Sequence, residues 1–372
     1  MLKPYAQYIE DAIKLNPVFI VGSGLSAGAG ISTMGQLATY LIQNVRTEEF
    51  SDQERHEWEQ IKAKLITEKK GLEEALQDSG EAISKSLLRE IIQQTWSCIS
   101  SDEQKLLLDI SNNLDPTGFV RYFKKFKNSN TEIIHIITTN YDHLIEWSAS
   151  SCGWRVWDGF DEGTIGSPLP LTELNRRMKT ISFVGRKPVT LTHHHLRIYK
   201  PHGSLSWFRL PDGQLRKVQG VGNYLIPMLG KVHIVPTIVT PGIGKYLETH
   251  QEPYNMVLSE MKHVLDNSKA LIFLGFGFND LHIQGSFDSI LRNDSIPKII
   301  LAMELSANAK KLIENQQLRN FVAVQKDTLG HGSEIISDKI KSFKTTQPEH
   351  WTFKMLLNQA WGVDNFESLK SV

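Results

Sequence analysis

"VFIVGSGLSAGAGISTMGQL", residues 18–37, decides the fold. Val18–Val21 is an unbroken apolar run that leads straight into Gly22-Ser23-Gly24. Such a run without polar alternation reads as a strand covered on both faces. Glycines placed directly after it let something come close to the backbone. A strand, a glycine turn and a helix from near Ser26 would aim free N–H groups at an anion. Gly22, Ser23, Gly24 and Ser26, with the small Ala27–Gly30 run, are therefore the candidate cradle for a pyrophosphate. The dinucleotide fingerprint G-x-G-x-x-G finds Ala27 at its third position, with Gly28 next. The acid it requires about 20 residues on falls in "YLIQNVRTEE", which reads as helix. No Gly-Lys-Ser/Thr follows, which excludes a P-loop. On the glycines alone, nucleotide binding and close helix–sheet packing both stay open.

The 372-residue chain is long enough for a sizeable core. Lys plus Arg equals Asp plus Glu at 41 each, so no net field draws it to nucleic acid or anionic lipid. The apolar runs are too short to span a bilayer, and the acid-bearing N-terminus does not read as a signal peptide. Two cysteines, Cys98 and Cys152, cannot make a four-cysteine zinc site. The expectation is a cytoplasmic α/β protein with no membrane or nucleic-acid partner.

Six apolar runs read as strands: Val18–Val21, Ile133–Thr138, Ile234–Val239, Leu271–Gly275, Ile299–Met303 and Phe321–Val324. Pro236 marks the third as an edge or interrupted strand. Helical patterns such as Tyr254–Leu265 and Ala307–Gln316 separate many of them. This alternation predicts a Rossmann-like, doubly wound, mostly parallel six-stranded sheet. Residues 44–128 read as an inserted helical module, and 153–230, rich in turn signals, as a small irregular subdomain. Residues 340–372, with Trp351, Phe353 and Trp361, are a candidate assembly segment. His193-His194-His195 reads as a loop tract, because adjacent side chains on an extended chain alternate in direction. His135 and His282 read as core-edge or surface histidines.

Three further segments place polar or glycine residues at strand ends, where open α/β sheets bind ligands. They are "IIHIITTNYDHLIE", "IYKPHGSLSWF" and "ALIFLGFGFNDLHI". Taken in order, "GSGLSAGAGI", "TTNYD", "PHGS", "GFGFND" and "ILAMEL" resemble motifs of the sirtuin-like superfamily, specifically its bacterial NAD-hydrolysing, anti-phage branch. The resemblance covers about 17–40, 131–146, 198–208 and 234–330. Two departures shape what it implies. The cysteines of the deacylase zinc module are missing, and Ile31 is followed by Ser-Thr-Met-Gly where deacylases continue Pro-Asp-Phe-Arg.

The resemblance implies an NAD glycohydrolase that takes NAD as substrate, needs no zinc and acts as a defence effector. It also implies a homo-oligomer and a partner, either a phage-derived trigger or an ATPase of the HerA type. In such a site Asn140 would hold the water or the ribose hydroxyls, and His202 would be the general base. Asp142 would orient Asn140, contact nicotinamide or cap the following helix. Ser26 would touch phosphate or ribose, or cap its helix. Gly275, Gly277 and Asn279 would lie near the adenosine. Glu304 would accept the ribose hydroxyls and select NAD over NADP. Competing expectations are a module that senses NAD or ADP-ribose, and a zinc-free deacylase using "IVPTIVTPG" as a peptide edge.

Overall fold

The computed structural model describes residues 2–79, 83–112, 114–219, 235–238, 253–328, 332–347 and 349–363. In chain order its strands are β1 (Val18–Val21), β2 (Ile133–Thr138), β3 (Arg155–Trp157), β4 (Ile165–Gly166), β5 (Lys179–Val184), β6 (Lys187–Thr192), β7 (His195–Tyr199), β8 (Gly203–Arg209), β9 (Leu215–Val218), β10 (Val235–Ile238), β11 (Leu271–Leu274), β12 (Lys298–Leu301), β13 (Phe321–Lys326), β14 (Ser333–Ser337) and β15 (Phe343–Thr345). The central sheet has nine strands in the order β15-β14-β13-β12-β11-β1-β2-β7-β3. Strands β13 through β3 are parallel, and β14 and β15 extend one edge antiparallel.

Alternation along each strand divides the core into two layers. Val18, Ile20, Leu271 and Phe273 face the layer built on the helix Tyr254–Asp266. Phe19, Val21, Ile272 and Leu274 face the layer that contains the helices Leu2–Lys14 and Phe119–Phe126. Helices on both faces explain why these strands carry Ile and Val without polar alternation. Among the described residues, no helix is long and apolar enough to cross a membrane.

Five of the six expected strands lie in the central sheet. The sixth is a correction: its described part, β10, pairs antiparallel with β8 in a separate sheet ordered β10-β8-β9-β4. Pro236 lacks an N–H, and the register shifts between Pro236 and Ile238. Strand β7, expected to be irregular, sits inside the parallel sheet between β2 and β3. It escapes the apolar pattern because it buries His195 and Arg197, which satisfy each other: Arg197 Nε donates to His195 Nε2 over 3.0 Å. His195 thus opens a strand rather than belonging to a loop. The side chain of His282 lies outside the described residues.

Two imidazoles of the sheet, His195 buried on β7 and His135 half-buried on β2, make stability pH-dependent. Burial lowers His135 to about 3 and His195 to about 4, with the Arg197 charge adding to both. The unfolded chain therefore binds protons that the folded chain refuses as pH falls from about 6.5 toward 4. Stability is full above that window and is lost within it, by about 1.4 kcal/mol per pH unit for each group. Urea unfolding at pH 7 and pH 5 should give a lower midpoint at pH 5. His135→Gln should flatten the dependence, and an unchanged slope would refute the assignment.

Within the expected helical module, Asp52–Ile66, Leu72–Gln77 and the first turns of Lys85–Ser111 share a cluster around Trp58, Ile61, Leu87 and Ile91, joined by Leu37 and Leu41 of the preceding helix Met34–Asn44. The long helix then reaches the sheet end, where Ile99 and Leu106 pack with Tyr141 and Leu205. Phe119–Phe126 lies on the sheet itself: Phe19 meets Phe119 and Tyr122 edge-on, at 5.5 and 5.0 Å between ring centroids. The C-terminal aromatics also pack on this layer. Phe353 is buried against Phe19, Trp361 stacks on Tyr122, and Trp351 packs on the same layer. Trp351 and Trp361 are only partly buried, and residues 348 and 364–372 of the expected assembly segment lie outside the described residues.

Candidate active site

The order of the sheet reverses around β1, which lies between β11 and β2. A crevice at the carboxyl ends of such strands is where open α/β sheets bind ligands. Three turns meet there, following β1, β2 and β11, together with the β7–β8 turn.

The glycines of the first turn answer to backbone. A Cβ on Gly22 would stand 2.5 Å from the carbonyl oxygen of Gly275, and one on Gly24 would stand 2.8 Å from the Gly275 Cα. The Gly24 N–H donates to the Gly275 carbonyl over 3.0 Å. Gly275 itself has φ +57°, a conformation that glycine adopts freely. These glycines interlock the β1 and β11 turns. Close packing, one of the two readings the sequence left open, accounts for Gly22, Gly24 and Gly275.

That interlock sets the helix Ser23–Ala29 so that Ser26 faces Asn140. Nδ2 of Asn140 donates to the Gly22 carbonyl at 3.0 Å and to Ser26 Oγ at 2.8 Å. A carbonyl only accepts, which fixes the end of the amide turned toward Gly22. Both amide hydrogens are thereby used, and Oδ1 remains as an acceptor. Ser26 Oγ donates onward to Asp142 Oδ2 at 2.7 Å, while Asp142 Oδ1 accepts the N–H of Leu144 at the start of the next helix. Asp142 therefore holds the first N–H of that helix, whose N-cap position is His143, and orients Asn140 through Ser26. Ser26 is not the N-cap of its own helix, a position held by Gly22. Burial raises the Asp142 carboxyl above the usual range; the charge of Lys200 and the Ser26 hydroxyl oppose this in part.

Lys200, which the sequence reading passed over, is fully buried beneath this cluster. Its Nζ binds Glu146 Oε1 at 2.6 Å and the Asp142 carbonyl at 2.5 Å. It ties β7 to the Asn140 segment and places His202, two residues on. His202 Nε2 lies 2.6 Å from Asp280 Oδ2. The sequence reading also missed Asp280, next to the expected Asn279.

A cavity of about 190 Å³ gathers most of these groups. Gly22, Ser23, Ser26, Asn140, Asp142 and His202 line it from one side, and Gly277, Asn279 and Asp280 from the other. Gly24 and Gly275 lie behind the wall and do not line it. Glu304 does not end the strand as expected. Strand β12 ends at Leu301, and the Glu304 side chain is 81% exposed, 3.7 Å from Lys310 and outside the cavity. Selection of NAD over NADP gains no support from it. Ser306 and Asn308 instead brace the turn from that side, donating to the Gly277 and Phe278 carbonyls.

A second cavity, about 350 Å³, lies beyond His143 among Trp147, Trp154 and Arg155, and collects none of the expected site residues. Beside it, Glu103, His143 and Ser204 form a relay, with His143 Nδ1 3.1 Å from Glu103 Oε2 and His143 Nε2 3.1 Å from Ser204 Oγ. Ser204 has no solvent-accessible surface, so the relay tethers three segments and offers no nucleophile. Among the described residues, no cluster of three or more His, Cys, Asp or Glu is arranged to hold a metal ion.

The sequence matches the model of the SIR2-like domain over residues 134–321, just over half of the chain. The chain belongs to the SIR2-like domain family. Among solved structures it is similar to one described as a Sir2 homolog–NAD complex, at 13% identity and a TM-score of 0.43, covering 86% of this chain and 87% of that one. Another, from work on the mechanism and regulation of Sir2 enzymes, shows 12% identity and a TM-score of 0.42 over 86% and 90%. No curated protein sequence matches it.

Proposed function

We propose that this chain hydrolyses NAD to ADP-ribose and nicotinamide. The observation that carries the reading is the meeting of Asn140, its Ser26–Asp142 support and His202 in one cavity at the sheet's switch point. Nicotinamide leaves as a neutral amine from a cationic linkage, so no covalent help is needed. What remains is to hold the ribose, stabilise an oxocarbenium-like transition state and deliver water. Asn140 Oδ1 accepts from that water or from a ribose hydroxyl, and His202 withdraws the proton. The Gly277–Asn279 turn faces the adenosine end.

The reading extends to the biology that the family resemblance implies. The chain is then an anti-phage effector that depletes NAD, works as a cytoplasmic homo-oligomer without zinc, and is released by a phage component or a partner ATPase. The helical module at 44–128 is the candidate contact for such control.

Purified protein incubated with NAD, with and without an acylated peptide and with lysate of phage-infected cells, tests this. Nicotinamide and ADP-ribose should appear together without peptide. Asn140→Ala and His202→Ala should each slow release about 100-fold while leaving circular dichroism unchanged. Release that requires the peptide would mean a deacylase. NAD binding without release under every condition would mean a sensor.

A further inference from the structure

Asp280, the last residue of "GFGFND", was given no role in the functional reading, yet it meets His202 at the cavity wall. His202 Nε2 stands 2.6 Å from Asp280 Oδ2, an ion-pair contact rather than an aligned hydrogen bond, and the two side chains are only 16% and 10% exposed. Each comes from a turn that cannot drift. The His202 turn is fixed behind by Gly203, whose φ of +83° and 2.2 Å approach between an added Cβ and the Thr237 carbonyl leave no slack. It is fixed in front by the buried Lys200. Asp280 opens the short helix Leu281–Gln284, its carbonyl accepting the N–H of Gln284, and the preceding Gly277–Phe278 backbone is held by Ser306 and Asn308. Two rigid elements thus deliver an imidazole and a carboxylate to one another at the cavity wall.

We propose that Asp280 is a positioning residue that selects the working tautomer of His202. A carboxylate beside Nε2 favours the proton on that nitrogen, which leaves Nδ1 as the only acceptor on the ring. Resting on the NAD-hydrolysis reading, the step then balances. Water gives a proton to Nδ1 as its oxygen bonds to the anomeric carbon. The bond from that carbon to the nicotinamide nitrogen breaks, and its electron pair leaves with neutral nicotinamide. The imidazolium so formed faces the Asp280 carboxylate, which offsets its charge until the proton passes to solvent. In this role Asp280 acts through His202, whose ring it faces at the cavity wall.

Histidine-selective ¹⁵N spectra of the full chain test this without substrate, the His202 signals being those missing from His202→Asn. The expected wild-type pattern is a protonated Nε2 and an unprotonated Nδ1. Asp280→Ala should give a mixture of tautomers and lower kcat about 100-fold, with the NAD dissociation constant within about twofold of wild type. Asp280→Asn, isosteric and the variant of choice should the alanine form not fold, keeps an acceptor but no charge and should fall between. A proton on Nδ1 in the wild type, or a tautomer and kcat unmoved by both substitutions, overturns the proposal. If the wild type releases no nicotinamide, the hydrolysis reading fails, while the spectra still decide the pairing.

Discussion

Gly275→Ala should cost about 3 kcal/mol or more of folding stability and abolish ligand binding with it. The added Cβ would stand 2.3 Å from the Leu25 nitrogen and 2.5 Å from the Gly24 carbonyl carbon. Both are backbone atoms, so no rotamer change relieves the clash. The residue also sits at φ +57°, which costs an alanine about 1 kcal/mol by itself. Relief requires the start of the helix Ser23–Ala29 to slide off the β11 turn. That breaks the Gly24–Gly275 hydrogen bond and carries Ser26 away from Asn140. Gly28→Ala is the matched control, because nothing lies within 4 Å of its Cβ. Within a helix that change should gain about 0.5 to 1 kcal/mol. Denaturant midpoints for the two variants should move in opposite directions; equal shifts would refute the interlock.

Lys200→Met should cost about 3 to 5 kcal/mol, for an electrostatic reason. The ammonium has no solvent-accessible surface, and its partner Glu146 is 9% exposed at the side chain. Removing the cation leaves a buried carboxylate without its countercharge and takes the donor from the Asp142 carbonyl. The double variant Lys200→Met/Glu146→Leu removes both charges and should recover most of the loss, since apolar groups of similar volume often replace a buried pair at little cost. A double-mutant cycle measures this, and a strictly additive result would mean that the pair is not coupled.

The central fold was legible where burial on both faces forced a uniform apolar run. β1 and β11 are wholly of this kind, and β2, β12 and β13 carry apolar runs broken only by His135 or bounded by Thr138, Lys298 and Gln325. β7 was not, because two of its five residues are polar groups that satisfy one another in place. The edge strands β14 and β15 are short and polar, and antiparallel pairing at an edge leaves no apolar signature. At the site, Asn140, His202, Ser26 and Asp142 were legible through the order of the motifs. Lys200 was not, because a lysine in sequence gives no sign of burial, and one so deep is rare without a partner. Asp280 was masked by its neighbour: "FND" before a helix reads as turn and cap, and only the fold brings it to His202. The position of Glu304 was misjudged, since the strand ends three residues before it and its side chain stands exposed.

The helix Lys85–Ser111 is about 40 Å long for its 27 residues. Its first turns are embedded among Trp58 and Ile61, and farther along Trp96 Nε1 holds the Leu205 carbonyl while Glu103 holds the backbone N–H and the ring of His143. His143 directly follows Asp142, and Leu205 lies three residues past His202. One rigid helix therefore joins the outer module to the Asn140 and His202 segments, through these hydrogen bonds as well as the apolar contacts of Ile99 and Leu106.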